Sequence, residues 1–566
     1  MARIDYSNWS KEELIKELSK FKKTTKFGIV WENKAEKVAD LCQENLPILI
    51  EDKKREIYAA NKESPNILIE GDNYHALSVL NYTHKGKIDV VYIDPPYNTG
   101  AKDWKYNNDY VDAQDPYRHS KWLSFMAKRL LLAKKLLKDT GIICVTIDDY
   151  EMPRLWCLMD EIFGENNHLG TVVIRNNPKG RKTKRKVSLI HEYALFFGKG
   201  IASKIQKVEI APEDKTHKYK KDTDGTWFLP VNLRKQGVDS LAVSVRGKLS
   251  DRYYPIYYDP KTGKVSSKTK LAVKILPIDK DGQKRIWRRG KDVIDEMFQT
   301  GDLWYQQTAS GDQVYYKFRG GLDGEPPESM WYESRFSASE HGTQMLDKIL
   351  GVREAFPYPK SPDAVAECIK IASTNKTAVI LDFFAGSGTT AQAVLELNKI
   401  DEGKRKYILC TNNENNIATE VCYPRIKKVI SGYRLGKKDI PGIVSSLKYF
   451  KTSFIDATPT DKNKKALVDK STEMLCLKEN CFNEMKSGQH FKTFNSIDGK
   501  HLAIIYDDGG IEPFKNIAKQ LNKPFIVYVF SLDENAREEE FEDVPALVEL
   551  KPIPAVILNV YRRIFR

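Results

Sequence analysis

The sequence predicts an α/β protein with a parallel sheet, because strand-forming apolar runs alternate with helical segments in two separate stretches. In the first stretch, apolar runs at 66–70 and 87–94 enclose a helical segment that follows a Gly-Asp turn. In the second, the run at 376–384 passes through a glycine turn into a helical segment, and another strand follows at 405–411. A strand, helix, strand order is typical of parallel sheets.

The first stretch keeps this alternation up to residue 200. Its further predicted elements are, in order, a helix over 121–141, a strand over 141–149, a helix over 152–164, and a strand, a basic loop and a strand within 168–199. A polar and aromatic loop precedes the first of these helices. We expect these elements to belong to one half of a sheet domain.

The pattern changes at several points along the chain. Leu14, Ile15, Leu18 and Phe21 have helical spacing and predict a short amphipathic docking helix over 11–24. The alternation fails from about 200 to 340 and resumes with a predicted helix at 361–373, and a polar segment precedes a last strand, helix, strand unit. The predicted domains are an N-terminal helical or docking segment (1–65), a first α/β half (66–200), an insert (201–340), a second α/β half (341–454) and a small C-terminal α/β domain (455–566).

Composition indicates a soluble globular protein with a polyanionic partner. The 566 residues exceed one ordinary core, and the formal net charge of +14 favours nucleic acid. The eight cysteines are scattered without the spacing of a zinc site, so we expect reduced thiols and no metal. The sequence has neither a signal peptide pattern nor a long apolar run, which predicts a cytoplasmic location without membrane association.

The stretch VYIDPPYNTG (91–100) places two prolines directly after a strand. Proline cannot donate to a sheet ladder, so the strand has to end at Asp94. The prolines stiffen the loop that follows, and Tyr97 lies at its tip. Such a loop is suited to holding a ligand.

The stretch LDFFAGSGTT (381–390) predicts a second ligand-binding turn. Gly386 and Gly388 lie where a strand gives way to a helix, and glycines there let a ligand approach the backbone and the helix N-terminus closely. Glu414 lies 26 residues beyond Gly388, at the end of the next strand, where an acid can meet the ribose of a nucleoside cofactor. The lysine of a P-loop is absent, and Ala391 interrupts the GxGxxG pattern.

The stretch RNNPKGRKTKRK (175–186) contains seven basic residues among twelve and no acidic ones. A solvated loop is the plain interpretation, but its glycine and proline also suit a flexible arm along phosphates. The candidate DNA-binding residues are Arg175, Lys179, Arg181, Lys182, Lys184, Arg185 and Lys186. Sequence recognition is expected from the insert instead.

Together, DPPYNTG and DFFAGSGTT resemble the catalytic and cofactor motifs of S-adenosylmethionine-dependent DNA amino-methyltransferases. The catalytic motif comes first, as in the circularly permuted β class, and Asp-Pro-Pro-Tyr resembles the adenine-specific form. The chain resembles in particular the modification subunit of type III restriction-modification systems. This resemblance rests also on IEGDNYHAL (69–77), WLSFMAKRLLLAKKLL (122–137), GIICVTIDDYE (141–151), LMDEIFGE (158–165), HEYALFFGK (191–199), FPYPKSP (356–362) and LKYFKTSF (447–454).

The resemblance implies a circularly permuted Rossmann-like methyltransferase sheet with an inserted target-recognition domain. It implies that Asp94 and the Pro95 carbonyl accept hydrogen bonds from an adenine amino group, that Pro96 stiffens the loop and that Tyr97 stacks on the flipped base. The implied cofactor residues are Asp382, Phe384, Gly386, Gly388, Thr389 and Glu414, with Lys360 and Asp72 as further candidates. Asn412 or Asn413 can replace Glu414 at the ribose, Lys360 can be a surface cation, and Asp72 can be a helix N-cap.

The sequence leaves several functions open. The leading one is N6-methylation of adenine in double-stranded DNA by a homodimer that also serves a helicase-nuclease restriction partner. The alternatives are a solitary methyltransferase, a catalytically silent DNA-specificity subunit, and methylation of RNA or of a protein amide. The pair His191 and Glu192 lacks the HExxH spacing of a metal site, so we predict a structural role for both.

Overall fold

The computed structural model describes residues 10–12, 15, 31–32, 34–59, 64–106, 109–112, 114–180, 187–208, 219–243, 247–308, 311–319, 324–435, 438–530 and 537–565. The predicted helix over 11–24 lies largely outside these residues. The chain divides into two compact units, Met1–Gln206 with Glu328–Arg566, and Lys207–Pro327.

The strands are β1 Leu46–Glu51, β2 Asn66–Glu70, β3 Ile88–Ile93, β4 Ala101–Tyr106, β5 Asp109–Asp112, β6 Leu137–Ile147, β7 His168–Ile174, β8 Glu192–Gly198, β9 Lys220–Lys221, β10 Trp227–Asn232, β11 Ile256–Tyr258, β12 Val265–Ser266, β13 Val273–Ile275, β14 Leu303–Thr308, β15 Gly311–Phe318, β16 Met330–Trp331, β17 Val379–Asp382, β18 Lys406–Thr411, β19 Gly432–Leu435, β20 Lys438–Pro441, β21 Leu447–Ile455, β22 Asn483–Ser487, β23 Phe491–Asn495, β24 His501–Ile505, β25 Phe525–Val529 and β26 Val548–Leu550. The helices are α1 Lys37–Glu44, α2 Asn73–Thr83, α3 Arg118–Leu136, α4 Met152–Phe163, α5 Lys291–Gln299, α6 Gln344–Leu350, α7 Pro362–Ala372, α8 Thr389–Asp401, α9 Tyr423–Ser431, α10 Asp461–Glu479, α11 Ile511–Leu521 and α12 Ala555–Phe565.

A ten-stranded sheet forms the centre of the larger unit, in the order β1-β21-β2-β18-β17-β3-β6-β8-β7-β16. The six strands from β21 to β6 are parallel to one another, whereas β1 pairs antiparallel with β21 and β8 pairs antiparallel with β6. The α/β prediction is therefore confirmed, but the sheet is mixed rather than wholly parallel. The strands β18 and β17 of the second sequence half lie between β2 and β3 of the first, so the two halves build one sheet.

Both faces of the central strands are buried, which explains their continuous apolar runs. Side chains alternate along a strand, so Val91 and Ile93 of β3 enter one core and Val90 and Tyr92 the other. Helices α2, α3 and α4 contribute to the first core, and α7, α8 and α9 to the second. The central strands, and with them the loops that follow their ends, are therefore packed between two layers of helices.

The structure corrects three predicted boundaries in this unit. Residues 46–51 form the edge strand β1 rather than a helical segment: their backbone pairs with β21, and residues 46–49 are buried. Residues 328–340 belong to the larger unit and not to the insert, since β16 pairs with β7. The helix predicted to 141 ends at Leu136, because the buried Leu137 already pairs with Ile88 of β3.

The C-terminal region contains the predicted α/β elements but shares a core with the main sheet. Strands β22 to β26 form a five-stranded sheet in sequence order. Leu467 and Met474 of α10 and Ile557 of α12 lie in the same cluster as α2 and α3. The separate C-terminal domain predicted from the sequence is therefore part of the larger unit.

The smaller unit, Lys207–Pro327, consists mainly of short antiparallel strands. It contains the sheets β14-β15-β10-β9 and β12-β11-β13 and the helix α5. Its core includes Trp287, Ile294 and Val314. None of the helices that the structure describes in either unit is long and apolar enough to cross a membrane.

Candidate active site

The two predicted loops follow neighbouring parallel strands. β3 and β17 pair in register at Ile380 with Val90 and at Leu381 with Val91. The chain continues from β3 towards β6 on one side and from β17 towards β18 on the other. A crevice opens where strand order diverges in this way, and ligands of open α/β sheets bind at the carboxyl ends there. Asp94 and the glycine turn both start at this edge.

The carboxylate of Asp94 is held through one of its oxygens. The Thr146 hydroxyl on β6 donates to Asp94 Oδ1 at 2.8 Å, and the Tyr97 hydroxyl donates to the same atom at 2.9 Å. The side chain of Asp94 remains partly exposed. The contacts that described side chains make with the Asp94 carboxylate all end on Oδ1, which leaves Oδ2 available as an acceptor.

The loop after Asp94 is held in place by hydrogen bonds to neighbouring segments. The Trp122 indole donates to the Pro96 carbonyl at 2.7 Å. Asn98 has a left-handed backbone (φ 54°) and is buried, and its amide donates to Glu151 at 2.5 Å. His119 also contacts the buried Glu151 carboxylate. A short polar side chain tolerates this backbone region, which explains the Asn of the motif.

The ammonium of Lys360 lies against the catalytic loop. Its Nζ is 3.1 Å from Asp94 Oδ1 and 2.5 Å from Glu192 Oε2, and it contacts the Tyr97 hydroxyl. Burial opposes the charged form, but the carboxylates of Asp94 and Glu192 outweigh burial and raise the pKa of Lys360 above its ordinary value. Burial, together with the Asp94 charge, raises the pKa of Tyr97 well above its ordinary value. The neutral tyrosine and the charged lysine are therefore the stable forms.

The glycine turn is preorganised by its own residues. Asp382 ends β17, and its carboxylate accepts from the Phe384 backbone N–H at 2.9 Å and from the Thr390 hydroxyl at 2.5 Å. Gly386 and Gly388 have left-handed backbones, with φ of 47° and 78°. A Cβ on Gly386 would lie 3.1 Å from the Phe356 ring. Only glycine fits this turn without strain.

A buried arginine on α9 supports the same turn. Arg425 donates to the Thr389 hydroxyl at 2.8 Å, to the Ser387 hydroxyl at 3.0 Å and to Gln392 at 2.9 Å. Burial lowers the pKa of Arg425 to about 10. The Thr389 hydroxyl is thus turned towards Arg425, so the part of Thr389 left for a ligand is its backbone.

The remaining candidate cofactor residues lie around this edge. Asp72 is the N-cap of α2 and accepts from the backbone N–H groups of Tyr74 and His75. Glu414 is half-buried just after β18, whereas the Asn413 side chain accepts from Thr419. Lys360 lies with Asp94 rather than at the surface. The structure thus gives Asp72 a capping role and leaves Glu414 as a candidate for the ribose.

Only the start of the basic segment is described. Arg175 is half-buried directly after β7, and Lys179 is exposed. The candidate residues Arg181, Lys182, Lys184, Arg185 and Lys186 lie outside the described part of the chain.

The sequence prediction missed Thr146 and Arg425, and it assigned Glu192 a structural role only. Thr146 and Glu192 lie at the ends of β6 and β8, next to the Asp94 loop, and a polar residue at a buried strand end was their only signal. Arg425 is marked as a site residue only by the burial of its side chain in the folded structure. Side-chain burial is not visible in one sequence.

Asp382 should make stability dependent on pH. Burial raises its pKa to about 7 from an ordinary 3.8, so the folded state binds a proton that the unfolded state has lost. Stability is therefore highest at low pH for this group and falls as the pH rises from about 4 to about 7. Between about pH 5 and pH 8, the melting temperature of Asp382→Asn should fall by less than that of the unmodified protein. Scanning fluorimetry measures both melting temperatures, and an equal fall in the two proteins would contradict the assignment. Asp139→Asn, at the exposed start of β6, is the control.

Comparison with known proteins yields one family and several relatives. A family described as DNA methylase, N6_N4_Mtase, matches residues 88–419. The type II methyltransferase M.KpnI of Klebsiella pneumoniae is 35% identical over 408 residues, 72% of this chain and 92% of that protein. The type III enzyme EcoPI Mod subunit of Escherichia phage P1 is 30% identical over 461 residues, 74% of this chain and 67% of that protein. The StyLTI Mod subunit of Salmonella typhimurium is 29% identical over 68% of this chain and 59% of its own length.

Proposed function

Because this chain belongs to the N6_N4_Mtase family of DNA methylases, we propose that it transfers a methyl group from S-adenosylmethionine to N6 of an adenine in double-stranded DNA. The observation that carries this proposal is the position of Asp94, Pro95, Pro96 and Tyr97 beside the glycine turn, at the carboxyl ends of adjacent strands. The Asp-Pro-Pro-Tyr sequence resembles the adenine-specific form of the motif.

The proposed role of Asp94 is to hold the amino hydrogens of the target. The lone pair of an adenine amino group is delocalised into the ring, so the nitrogen is a poor nucleophile. Hydrogen bonds to Asp94 Oδ2 and to the Pro95 carbonyl draw the nitrogen towards tetrahedral geometry. Thr146 and Tyr97 fix the carboxylate in advance, and such preorganised acceptors act without reorganisation in the transition state.

The proposed role of Tyr97 is to receive the base. A base in duplex DNA has to be flipped out at a cost of a few kcal/mol. Stacking on an aromatic ring offsets about 1–3 kcal/mol per base. The Tyr97 hydroxyl donates a hydrogen bond to Asp94 and lies 3.1 Å from Glu192. These contacts hold the ring at the edge of the sheet where the base would enter.

The residues of the glycine turn fit S-adenosylmethionine. The left-handed Gly386 and Gly388 leave no side chain between the backbone and a ligand, and Phe384 offers a half-buried ring beside them. Glu414 provides a carboxylate for the ribose, and Asp382 and the Thr389 backbone fix the turn. When bound, S-adenosylmethionine would supply an activated methyl group, and the amino nitrogen that gains the methyl would lose one of its protons to solvent.

The finer architecture that we infer is a circularly permuted Rossmann-like sheet. The interleaving of β18 and β17 between β2 and β3 supports it, since the catalytic strand precedes the cofactor strand in the chain. We further infer that the compact unit Lys207–Pro327 is the target-recognition domain. The basic segment beginning at Arg175 would then add affinity through phosphates.

We propose that the chain serves as the modification and specificity subunit of a type III restriction-modification system, as a homodimer with a helicase-nuclease partner. The similarity to the EcoPI and StyLTI Mod subunits supports this proposal. The second candidate is a methyltransferase without a restriction partner, which the match to 92% of the type II methyltransferase M.KpnI favours.

Nucleoside analysis tests the reaction directly. The purified protein is incubated with methylation-free duplex DNA and S-adenosylmethionine carrying a labelled methyl group, and the DNA is digested to nucleosides. We expect label in N6-methyldeoxyadenosine. Label in N4-methyldeoxycytidine would contradict the assigned base, and label in RNA or protein substrates alone would contradict the substrate class.

A further inference from the structure

The ammonium group of Lys360 contacts Oδ1 of Asp94, the aspartate that the proposed reaction requires. We propose that Glu192 is a positioning residue that holds Lys360 while Asp94 exchanges its contact with Lys360 for the amino group of the target base. This inference rests on the proposed function. It replaces the purely structural role that the sequence predicts for Glu192.

The three donors of Lys360 are matched by three acceptors. They are Asp94 Oδ1 at 3.1 Å, Glu192 Oε2 at 2.5 Å and the Tyr97 hydroxyl oxygen. Of the two carboxylates, Asp94 is therefore the more distant from the ammonium and Glu192 the nearer. Loss of the Asp94 contact would still leave the ammonium with a charged and a neutral partner.

Burial and a further hydrogen bond hold Glu192 in position during this exchange. It is the first residue of β8 and is 2% exposed. Its Oε2 accepts from the Asn176 amide at 2.6 Å, and it also lies 3.1 Å from the Tyr97 hydroxyl. Asn176 donates to the same carboxylate independently of Lys360, so Glu192 keeps a hydrogen-bond partner if the lysine moves.

The backbone on either side of Lys360 is held by contacts with neighbouring segments. A Cβ on Gly342 would lie 2.0 Å from the Pro359 carbonyl oxygen, so the two backbones are in close contact. The Ser361 hydroxyl donates to the Arg335 carbonyl at 2.7 Å, and Pro362 starts α7. Exchange at Asp94 is therefore a motion of the Lys360 side chain alone.

The charges explain why Glu192 is needed. The ammonium at Asp94 Oδ1 draws on the same carboxylate charge that the amino hydrogens of the target need at Oδ2, so it weakens Asp94 as their acceptor. Asp94 and Glu192 both attract the ammonium, and a neutral glutamine at 192 would leave Asp94 as its one charged partner in this cluster. Glu192→Gln should therefore keep Lys360 on Asp94 and oppose entry of the base.

The test compares binding of two duplexes that differ only at the target. One contains the adenine that the unmodified protein methylates, and the other contains an abasic site there, which brings no amino group to Asp94. We expect Glu192→Gln to bind the adenine duplex about tenfold more weakly, as for loss of one hydrogen bond to a charged group. Binding of the abasic duplex should be unchanged. The kcat for methylation should fall about 100-fold, as for a misplaced reacting group.

Glu479→Gln is the matched control. Glu479 is a buried glutamate that accepts from the Tyr528 hydroxyl at 2.6 Å and lies 3.6 Å from Lys551, in the C-terminal region. It should change neither binding nor kcat.

Each outcome for Glu192→Gln decides the inference. A weaker affinity for the adenine duplex alone supports it. Equal weakening for both duplexes indicates a structural role and overturns it, and unchanged binding and kcat also overturn it. If the unmodified protein methylates no adenine, the proposed function fails first, before any variant is compared.

Discussion

Replacement of Asp94 by alanine is expected to lower kcat for DNA methylation by about 100- to 1000-fold, the effect of removing one preorganised hydrogen-bonding group. The variant loses the acceptor for the amino hydrogens. Lys360 keeps its contacts with Glu192 and Tyr97, so the local charge stays paired. Affinity for S-adenosylmethionine should change little, and duplex DNA should still bind, about tenfold more weakly because the target adenine loses its hydrogen bond to Asp94. Single-turnover methylation and separate titrations of cofactor and DNA measure these three quantities.

Asp139→Ala is the matched control for this variant. Asp139 lies on β6 but at its opposite, exposed end, 94% accessible and paired with Lys199. It should methylate at the unmodified rate. Turnover by Asp94→Ala within about threefold of the control would refute the assigned role, because such a difference is below the loss of one hydrogen bond to a charged group.

Replacement of Gly386 by valine is the second large expected effect. The left-handed backbone of Gly386 costs a residue with a Cβ about 1–2 kcal/mol. The new side chain would also press on the Phe356 ring, 3.1 Å from the Cβ position. The turn would have to shift, and we expect affinity for S-adenosylmethionine to fall at least about tenfold. Equilibrium dialysis with labelled cofactor measures the change.

Gly351→Val separates backbone strain from the position of the turn. Gly351 follows α6 with φ of 75°, and no described atom lies within 4 Å of its Cβ position. The two variants share the left-handed strain, but only Gly386 belongs to the proposed cofactor turn. Equal cofactor affinities in both variants would contradict this assignment of the turn.

The sequence was sufficient to predict the elements around the two loops. The prolines after Asp94 ended β3, and the glycines after Phe384 opened α8, because both residue types impose local backbone geometry. The apolar runs of β3, β17 and β18 identified central strands, since these are buried on both faces. Local chemistry therefore determined where each candidate loop lies in the chain.

The contacts between these elements were not predictable. Glu192 reaches Tyr97 across 95 positions, and Lys360 reaches Glu192 across 168. Such pairs depend on strand order, with β8 beside β6 and β17 beside β3, which one sequence does not contain. The edge strand β1 and the shared C-terminal core were missed for the same reason, because their partners lie hundreds of residues away.

Single-molecule sequencing tests the central claim most directly. A methylation-free host expresses this chain alone, beside its Asp94→Ala variant, and the modified bases of the host DNA are mapped. N6-methyladenine at one short motif, absent in the variant, is the expected result, and modification of one strand of an asymmetric motif would support the type III assignment. An unmodified genome despite soluble protein that binds S-adenosylmethionine would contradict methylation by this chain alone.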